Sequence, residues 1–262
     1  MARSLTDILT ERGVENAAAL VLAGRVLVDG VRETRSGMAV REDARIEVLP
    51  GREYVSRGAY KLLGALSDFQ SASSSASGMR GPAGRICLDL GASHGGFTQV
   101  LLERDAAKIY AIDVARGILD YEVRRDTRVV ALEKRNAREL APEWLAPEDL
   151  ERARKKDAAG FPEGIFVTGD LSFISVRRIL DALVNFAGPA GLTLEILMLV
   201  KPQFERPEAT EKGVLKDGAL REEIVADVRE YAQSIGFRDP ATAVSRLPGA
   251  KGNVEYFLYA RL

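Results

Sequence analysis

Residues 86–99, ICLDLGASHGGFTQ, constrain the fold of this chain more than any other segment. Their apolar start, ending at Asp89, predicts a buried parallel strand, and the residues from Phe97 onward have the composition of a helix. The turn between them contains Gly91, Gly95 and Gly96, which allow backbone to approach a ligand closely. A helix start adds unpaired N–H groups and a positive dipole end. We therefore predict that this turn binds a ligand with a carboxylate or phosphate group.

Three classes of ligand site share such a turn. Residues 91–95 match the G-x-S-x-G elbow of serine hydrolases, but these enzymes need a histidine further along the chain, and the only histidine is His94, inside the motif. A dinucleotide site needs G-x-G-x-x-G, and Ser93 stands where the second glycine should be. Enzymes that use S-adenosylmethionine need an acidic strand end, a glycine loop and a second acid after the next strand. Asp89, the loop and Asp113 supply all three, which also disfavours a purely structural turn.

The composition of the 262-residue chain narrows its function further. With a net charge of −1, the chain lacks the overall positive charge typical of nucleic-acid-binding proteins, so any basic surface must be local. Cys87 is the only cysteine, which excludes an internal disulfide, indicates a reducing compartment and, with a single histidine, argues against a metal site. There is no signal-peptide pattern at the N-terminus and no apolar run of membrane-helix length. We therefore expect a soluble, cytoplasmic protein that acts as a monomer without a metal or a membrane.

The first 50 residues predict a small α+β domain. An apolar helical pattern begins at Leu5, and Asn16 is a candidate cap for a second short helix that Gly24 would end. Residues 25–31 and 45–49 are predicted strands, and the first of them runs into an Asp-Gly turn. We assign residues 1–50 to this domain, 51–55 to a linker and 56–262 to a larger domain.

The larger domain predicts an α/β fold. Strands and helices alternate from residue 85 onward, which is typical of a doubly wound, mainly parallel, Rossmann-like sheet. Residues 253–259 are assigned to a strand at a sheet edge, 70–84 to a mobile loop and 148–164 to a solvated insertion or connecting helix. In such sheets ligands lie beyond the carboxyl ends of the strands. Four polar residues are predicted there: Asp89, Asp113, Asp170 and Lys201.

Lys201 is the candidate to act on a hydroxyl acceptor. Methyl transfer from a sulfonium is an in-line displacement, so the protein must align donor and acceptor and manage the acceptor's proton. A ribose hydroxyl is a poor nucleophile near neutral pH, and His94 lies in the predicted cofactor loop. Lys201 follows an apolar strand, and partial burial beside a second cation would favour its neutral form. Lys201 is therefore a candidate base, with a surface lysine as the alternative.

The small domain resembles the alpha-L RNA-binding motif, most clearly at residues 23–30, AGRVLVDG. Residues 1–60 contain nine arginines, no lysines and nine acids, so RNA binding would depend on how the arginines cluster. Arginine binds phosphate through two hydrogen bonds and stacks on bases. The residues expected to contact RNA are Arg3, Arg12, Arg25 and Arg57. A packing or protein-interaction domain is the alternative.

Five blocks, in order along nearly the whole chain, resemble the TlyA (hemolysin A) family. They are YVSRGAYK at 54–61, GASHGGF at 91–97, DLSFIS at 170–175, VKPQFE at 200–205 and GNVE at 252–255. The larger domain of that family is similar to FtsJ-type RNA ribose methyltransferases. The resemblance implies transfer of a methyl group from S-adenosyl-L-methionine to the ribose 2′-hydroxyl of cytidine in ribosomal RNA. Its partners would be ribosomal RNA or ribosomal subunits.

The resemblance also implies roles for individual residues. The catalytic set would be Lys61, Asp170, Lys201 and Glu255, with Lys201 as base or hydroxyl-orienting group and Asp170 positioning it beside the methyl donor. The methionine part of the cofactor would face Asp89, Gly91, Ala92, Ser93, Gly95, Gly96 and Phe97. Asp113 would bind the cofactor's ribose hydroxyls and Asn136 its adenine region, while Phe97 could equally be a core residue. A membrane-active hemolysin and a non-catalytic ribosome-assembly factor are the competing functions.

Overall fold

The computed structural model describes residues 3–15, 17–22, 25–33, 35–41, 43–49, 54–71, 78–156 and 163–262. The first 50 residues form short elements that pack around one small core. The helices are α1 (Leu5–Glu11) and α2 (Ala17–Leu22). The strands are β1 (Arg3–Ser4), β2 (Val26–Val28), β3 (Val31–Glu33), β4 (Ala39–Val40) and β5 (Ile46–Val48).

The core of this small domain explains its elements. Leu5 and Leu9 lie one helical turn apart on α1 and are buried against Val21 and Val26. β2 pairs antiparallel with both β3 and β5, and the Asp29 side chain accepts a hydrogen bond from the backbone N–H of Arg45. The predicted helices, strands and Asp-Gly turn are therefore present. The predicted cap Asn16 and stop Gly24 lie outside the described residues.

The larger part of the chain contains the remaining elements. Its helices are α3 (Gly58–Ser71), α4 (Gly96–Glu103), α5 (Tyr121–Arg124), α6 (Pro147–Arg154), α7 (Val176–Ala190), α8 (Pro202–Glu205) and α9 (Gly218–Ser234). Its strands are β6 (Ile86–Leu90), β7 (Lys108–Asp113), β8 (Val129–Glu133), β9 (Ile165–Gly169), β10 (Leu194–Val200), β11 (Arg238–Val244) and β12 (Tyr256–Arg261). None of the described helices has the length and apolar composition needed to cross a bilayer.

Seven strands form one twisted sheet in the order β11-β12-β10-β9-β6-β7-β8. The five strands from β10 to β8 are parallel, and β12 runs antiparallel to both of its neighbours. The chain proceeds from β6 to β7 and β8 on one side, then returns to place β9 on the other side of β6. Such a reversal creates a crevice at the carboxyl ends of the strands, where doubly wound proteins bind ligands. The predicted fold class is confirmed.

The sheet is covered on both faces. Successive residues of a strand point to opposite faces, so Ile196 and Met198 pack into the core that contains α7 and α9. Leu197 and Leu199 pack into the core that contains α3 and α4. Cys87 is a fully buried member of this second core, and burial raises the pKa of its thiol. Cys87 is therefore an inert core residue.

The position predicted for the last strand is wrong. β12 lies between β10 and β11 and is buried along most of its length. The strand at this edge of the sheet is β11, which the sequence analysis did not identify because Pro240 interrupts its pattern. Asp239 has a left-handed φ of 52° where the pairing with β12 is irregular. Proline lacks the N–H needed for a ladder, so it is confined to edges and irregular positions.

Both described ends of the segment predicted as a mobile loop are structured. Gln70 and Ser71 belong to α3, and residues 72–77 lie outside the described part. The backbone N–H groups of Arg80 and Gly81 donate to the Glu195 carboxylate, so the segment after residue 77 packs against β10. Within the predicted insertion, α6 buries Asp149, which accepts a hydrogen bond from the Tyr110 hydroxyl.

Candidate active site

A cavity of about 500 Å³ opens at the carboxyl ends of β6, β7 and β9, within the range of roughly 300–1,000 Å³ that small-molecule sites occupy. Its wall includes Gly91, Ser93, Asp113, Asn136 and Asp170. These residues follow different strands and meet because the carboxyl ends of parallel strands lie at one edge of a sheet. We call this space the cofactor cavity.

Asp113 organises the loop at the base of the cofactor cavity. Its Oδ2 accepts a hydrogen bond of 2.8 Å from the Ser93 N–H, and its Oδ1 accepts one of 2.8 Å from the Ala115 N–H. Ser93 has a left-handed φ of 50°, and this bond holds the strained turn in place. The remaining lone pairs of the Asp113 carboxylate face a half-exposed surface, where they can accept hydrogen bonds from a ligand's hydroxyl groups.

The glycines of the loop are needed for contacts within the protein. A Cβ at Gly91 would lie 2.8 Å from the carbonyl oxygen of Asp170. One at Gly95 would lie 2.7 Å from the Leu119 side chain, and one at Gly96 would overlap the Ser56 hydroxyl. Gly95 and Gly96 thus let neighbouring elements pack against the start of α4. Ala92 is likewise buried, against Leu119 and Val123.

Phe97 is a core residue, the second of the two interpretations that the sequence left open. Its side chain is buried, and its ring stacks on Phe257 with 6.2 Å between the ring centroids. The expectation that it touches the cofactor is therefore corrected. The first turn of α4 is anchored to β12, and so the loop that precedes it has a fixed end.

Asp89 stabilises the loop from within the protein core, and its side chain does not line the cofactor cavity. Its side chain is fully buried and accepts a hydrogen bond of 2.6 Å from the Thr98 hydroxyl. Burial raises the pKa of this carboxyl to about 7, because desolvation outweighs the opposing effect of the Thr98 hydrogen bond. The expectation of direct contact with the methionine part of a cofactor is corrected to a supporting role through Thr98.

The raised pKa of Asp89 predicts a pH dependence of stability. The unfolded carboxyl titrates near pH 4 and the folded one near pH 7, so the folded protein binds this proton more tightly. The contribution of Asp89 to stability is therefore largest below about pH 4, falls as the pH rises to about 7 and is then constant. The variant Asp89→Asn lacks this titration, so we expect its stability relative to the wild type to be higher at pH 8 than at pH 5. Urea unfolding at both pH values measures it, and an equal difference at both would contradict the assignment.

The four residues of the predicted catalytic set form two ion pairs. Lys61 Nζ lies 2.6 Å from Glu255 Oε2, although the residues are 194 positions apart in the chain. Lys201 Nζ lies 2.6 Å from Asp170 Oδ1 and donates a hydrogen bond of 2.9 Å to the Ser172 hydroxyl. Asp170 keeps 26% of its side chain exposed, whereas Lys201 keeps 9%. A shielded ammonium beside a carboxylate that ligands can reach is suited to orienting a polar group.

Two residues that the sequence analysis did not single out support these pairs. The Gln203 amide donates to Glu255 Oε1 across 3.4 Å, and Ser172 bonds Lys201. Gly249 lies against the Glu255 carboxylate, since a Cβ there would overlap it. Gln203 lies in the VKPQFE block and Ser172 in the DLSFIS block. Their closeness in sequence to Lys201 and Asp170 is the signal that could have identified them.

A second, larger space of about 750 Å³ lies between the small domain and the larger one. Lys61, Arg57 and Gly249 line one side, and Thr10, Val14 and Glu15 of the small domain line the other. Asp170 belongs to the wall of this space and also to the wall of the cofactor cavity. We call this second space the interdomain cleft. A group in the cleft and a group in the cavity therefore meet at the same carboxylate.

The predicted RNA-contacting arginines do not form one surface. Arg57 is exposed and lines the interdomain cleft. Arg3 forms an ion pair with Glu11, and Arg12 lies near it on a separate surface depression of the small domain. Arg25 donates a hydrogen bond of 2.7 Å to the Leu49 carbonyl. Of the four, Arg57 is the one that the fold brings beside the candidate catalytic residues.

The family model for FtsJ-like methyltransferases matches residues 54–262. The chain belongs to the FtsJ-like methyltransferase family. A relative from Mycobacterium tuberculosis, named 16S/23S rRNA (cytidine-2′-O)-methyltransferase TlyA, is 42% identical over 255 residues, which are 95% of this chain and 85% of the relative. Hemolysin A of Brachyspira hyodysenteriae is 34% identical, covering 92% and 90%. The resemblance to the TlyA and FtsJ-type proteins is confirmed.

A solved structure agrees with this family assignment. The crystal structure of a hemolysin-like protein from Lactococcus lactis is 32% identical and superposes with a TM-score of 0.65, covering 79% of this chain and 88% of that one. This FtsJ-like methyltransferase thus resembles its relatives in both sequence and fold, including those named for hemolysis.

Proposed function

We propose that this protein transfers a methyl group from S-adenosyl-L-methionine to the 2′-hydroxyl of a cytidine in ribosomal RNA. The observation that carries the proposal is the position of Asp170, which lines both the cofactor cavity and the interdomain cleft. A two-substrate transfer needs the donor and the acceptor to meet in one place. The name of the relative from Mycobacterium tuberculosis supports the choice of reaction and of nucleotide. A cytoplasmic site of action follows from a ribosomal substrate.

The residues of the cofactor cavity fit S-adenosyl-L-methionine. This cofactor supplies a methyl group activated by a sulfonium, whose positive charge suits the carboxylate of Asp170. Asp113 has acceptor capacity for ribose hydroxyls, and Asn136 lies further along the same wall, where its amide can bond the adenine. Gly91 and Ser93 offer backbone at the methionine end. The cavity would thus offer a side chain or backbone group to the ribose, the adenine and the methionine part of the cofactor.

We assign a different role toward the ribose to each of the two ion pairs. Lys201 is held by Asp170 and Ser172, so of the two roles for Lys201, orienting the hydroxyl is the better supported. An ammonium has three N–H groups, and two of them bond Asp170 and Ser172, which leaves one for the ribose oxygen. Asp170 would take the proton that the 2′-hydroxyl loses when the methyl group passes from sulfur to its oxygen. Lys61, held by Glu255, faces the cleft and would bind the ribose or its phosphate.

The domain division belongs to the same proposal. We assign residues 1–50 to an RNA-binding domain, 51–55 to the linker and 56–262 to the methyltransferase, with Arg57 contacting RNA at the cleft. Tyr54 and Val55 would set the angle between the domains, because they bond Glu103 and Gln99 of α4. Arg3 and Arg12 would contact RNA further from the reaction.

Incorporation of labelled methyl groups into isolated ribosomal subunits tests the proposal. We expect label from S-adenosyl-L-methionine to appear at the 2′-oxygen of a cytidine, and mapping of the labelled nucleotide identifies it. The variant Asp170→Asn should abolish most of the label. Binding to subunits without transfer would favour an assembly factor, and lysis of erythrocytes by the purified protein without RNA labelling would favour a hemolysin. Either outcome contradicts the proposal.

Removing Asp113 should weaken cofactor binding. We expect Asp113→Ala to raise the dissociation constant for S-adenosyl-L-methionine by at least about tenfold, since hydrogen bonds to a charged group contribute roughly 1.5–3 kcal/mol. Isothermal titration calorimetry measures it. Asp43→Ala, in the small domain and paired only loosely with Arg41 at 3.6 Å, is the control and should bind as the wild type does. Unchanged binding in Asp113→Ala would show that the cofactor lies elsewhere.

A further inference from the structure

Glu15 is the residue of the small domain whose place in the interdomain cleft calls for a functional explanation. It lies on the turn between α1 and α2, facing the side of the cleft that holds Lys61 and Asp170. The other acids near the reaction are paired, Asp170 with Lys201 and Glu255 with Lys61. Within the described residues, the Glu15 side chain has no hydrogen bond and no ion pair, and it is exposed.

An unpaired carboxylate is unfavourable in a cleft that receives a polyanion. It repels phosphate groups at short range, and the cost is offset only if the carboxylate accepts a hydrogen bond from the bound nucleic acid. Phosphate and carbonyl groups of RNA are acceptors, so the donor is either a ribose 2′-hydroxyl or an amino or imino group of a base. With a base as its partner, Glu15 would discriminate between bases that carry a donor at the contacting edge and bases that do not.

The surroundings of Glu15 suit a base taken out of its stack. Val14 on the same turn and Leu247 and Pro248 on the opposite side give the cleft apolar walls. Enzymes that act on one nucleotide hold its base between apolar surfaces and read its Watson–Crick edge by hydrogen bonds. With the ribose at Lys61 and Asp170, the base extends toward the small domain, where Glu15 is the acidic residue on the cleft wall.

We propose that Glu15 accepts a hydrogen bond from the 4-amino group of the target cytosine and thereby sets the preference for cytidine over uridine. Carboxylates accept from this amino group in known base recognition. Uracil carries an oxygen at the same position, which would face the carboxylate as a second acceptor. The inference rests on the proposed function, and it makes the small domain part of the substrate site as well as an RNA anchor.

The test compares methylation of matched RNA substrates that carry cytidine or uridine at the mapped target position. For the wild type we expect transfer to cytidine to exceed transfer to uridine by at least about tenfold. In Glu15→Gln the amide both donates and accepts, so we expect the ratio to fall by roughly tenfold, through slower transfer to cytidine and faster transfer to uridine. Glu11→Gln, on α1 and paired with Arg3, is the matched control and should keep the wild-type ratio.

The outcomes separate this inference from the proposed function. A wild type that methylates neither substrate overturns the proposed function and the inference with it. A wild type that methylates cytidine, combined with an unchanged ratio in Glu15→Gln, overturns the role of Glu15 alone. A wild type without preference for cytidine does the same. Circular dichroism of both variants checks that the small domain keeps its fold.

Discussion

The variant Lys201→Met should lose methyl transfer by roughly 10²–10³-fold, the usual cost of removing one preorganised hydrogen-bond donor from an active site. Lys201 Nζ is held by Asp170 and Ser172, so in the proposed reaction it would be fixed beside the acceptor hydroxyl. Methionine keeps an apolar side chain of similar length beside Phe204, over which the lysine now lies. The loss should therefore appear in kcat with little change in the affinity for S-adenosyl-L-methionine. Single-turnover transfer of labelled methyl and calorimetry measure the two quantities.

A second lysine provides the control. Lys108 also pairs with a carboxylate, at 2.6 Å from Asp149, but it lies at the start of β7, at the opposite end of the strand from Asp113. We expect Lys108→Met to transfer methyl groups within about twofold of the wild type. If Lys201→Met keeps the wild-type rate, or if both variants lose it equally, Lys201 has no special part in the reaction.

The variant Phe97→Ala should unfold more easily, by about 3–5 kcal/mol, as is typical when a buried phenylalanine is truncated. Its ring lies between the sheet and α3 and stacks on Phe257, so its removal leaves a cavity that the rigid sheet cannot close. At about 2–4 °C per kcal/mol for a protein of this size, the melting temperature falls by roughly 6–20 °C. Calorimetry and urea unfolding measure both values.

Phe173 is the matched control for this prediction. It is 90% exposed and contacts Phe204 on the surface, with 5.1 Å between ring centroids. We expect Phe173→Ala to change stability by no more than about 0.5 kcal/mol. A wild-type melting temperature for Phe97→Ala, together with weakened binding of S-adenosyl-L-methionine, would contradict the core assignment and restore the cofactor role.

Much of the fold followed from local sequence patterns. The segment around Asp89 was recognisable because a buried parallel strand is continuously apolar and is followed by turn residues. β11 was not recognisable, because Pro240 interrupts the pattern that a strand requires. The edge position of β12 was assigned wrongly for a related reason: order within a sheet depends on which strands pair, and a single strand's sequence does not encode its neighbours.

The candidate site was predicted in part. Asp113, Asp170 and Lys201 lie at strand ends, so the rule for parallel sheets brought them together in advance. The pairing of Lys61 with Glu255 joins distant parts of the chain, and the resemblance to a family was the sole indication of it. The role of Phe97 could not be predicted from sequence. An aromatic residue after a glycine loop can either contact a ligand or pack in the core, and the packing of α3 decides between the two.

Asp170 is proposed to lie where the cofactor cavity meets the interdomain cleft. A crystal structure with S-adenosyl-L-homocysteine bound tests this most directly. We expect the ligand's ribose hydroxyls at Asp113, its adenine near Asn136 and its sulfur directed toward Asp170 and the interdomain cleft. A ligand in the interdomain cleft, or one whose sulfur points away from Asp170 and Lys201, would contradict the account.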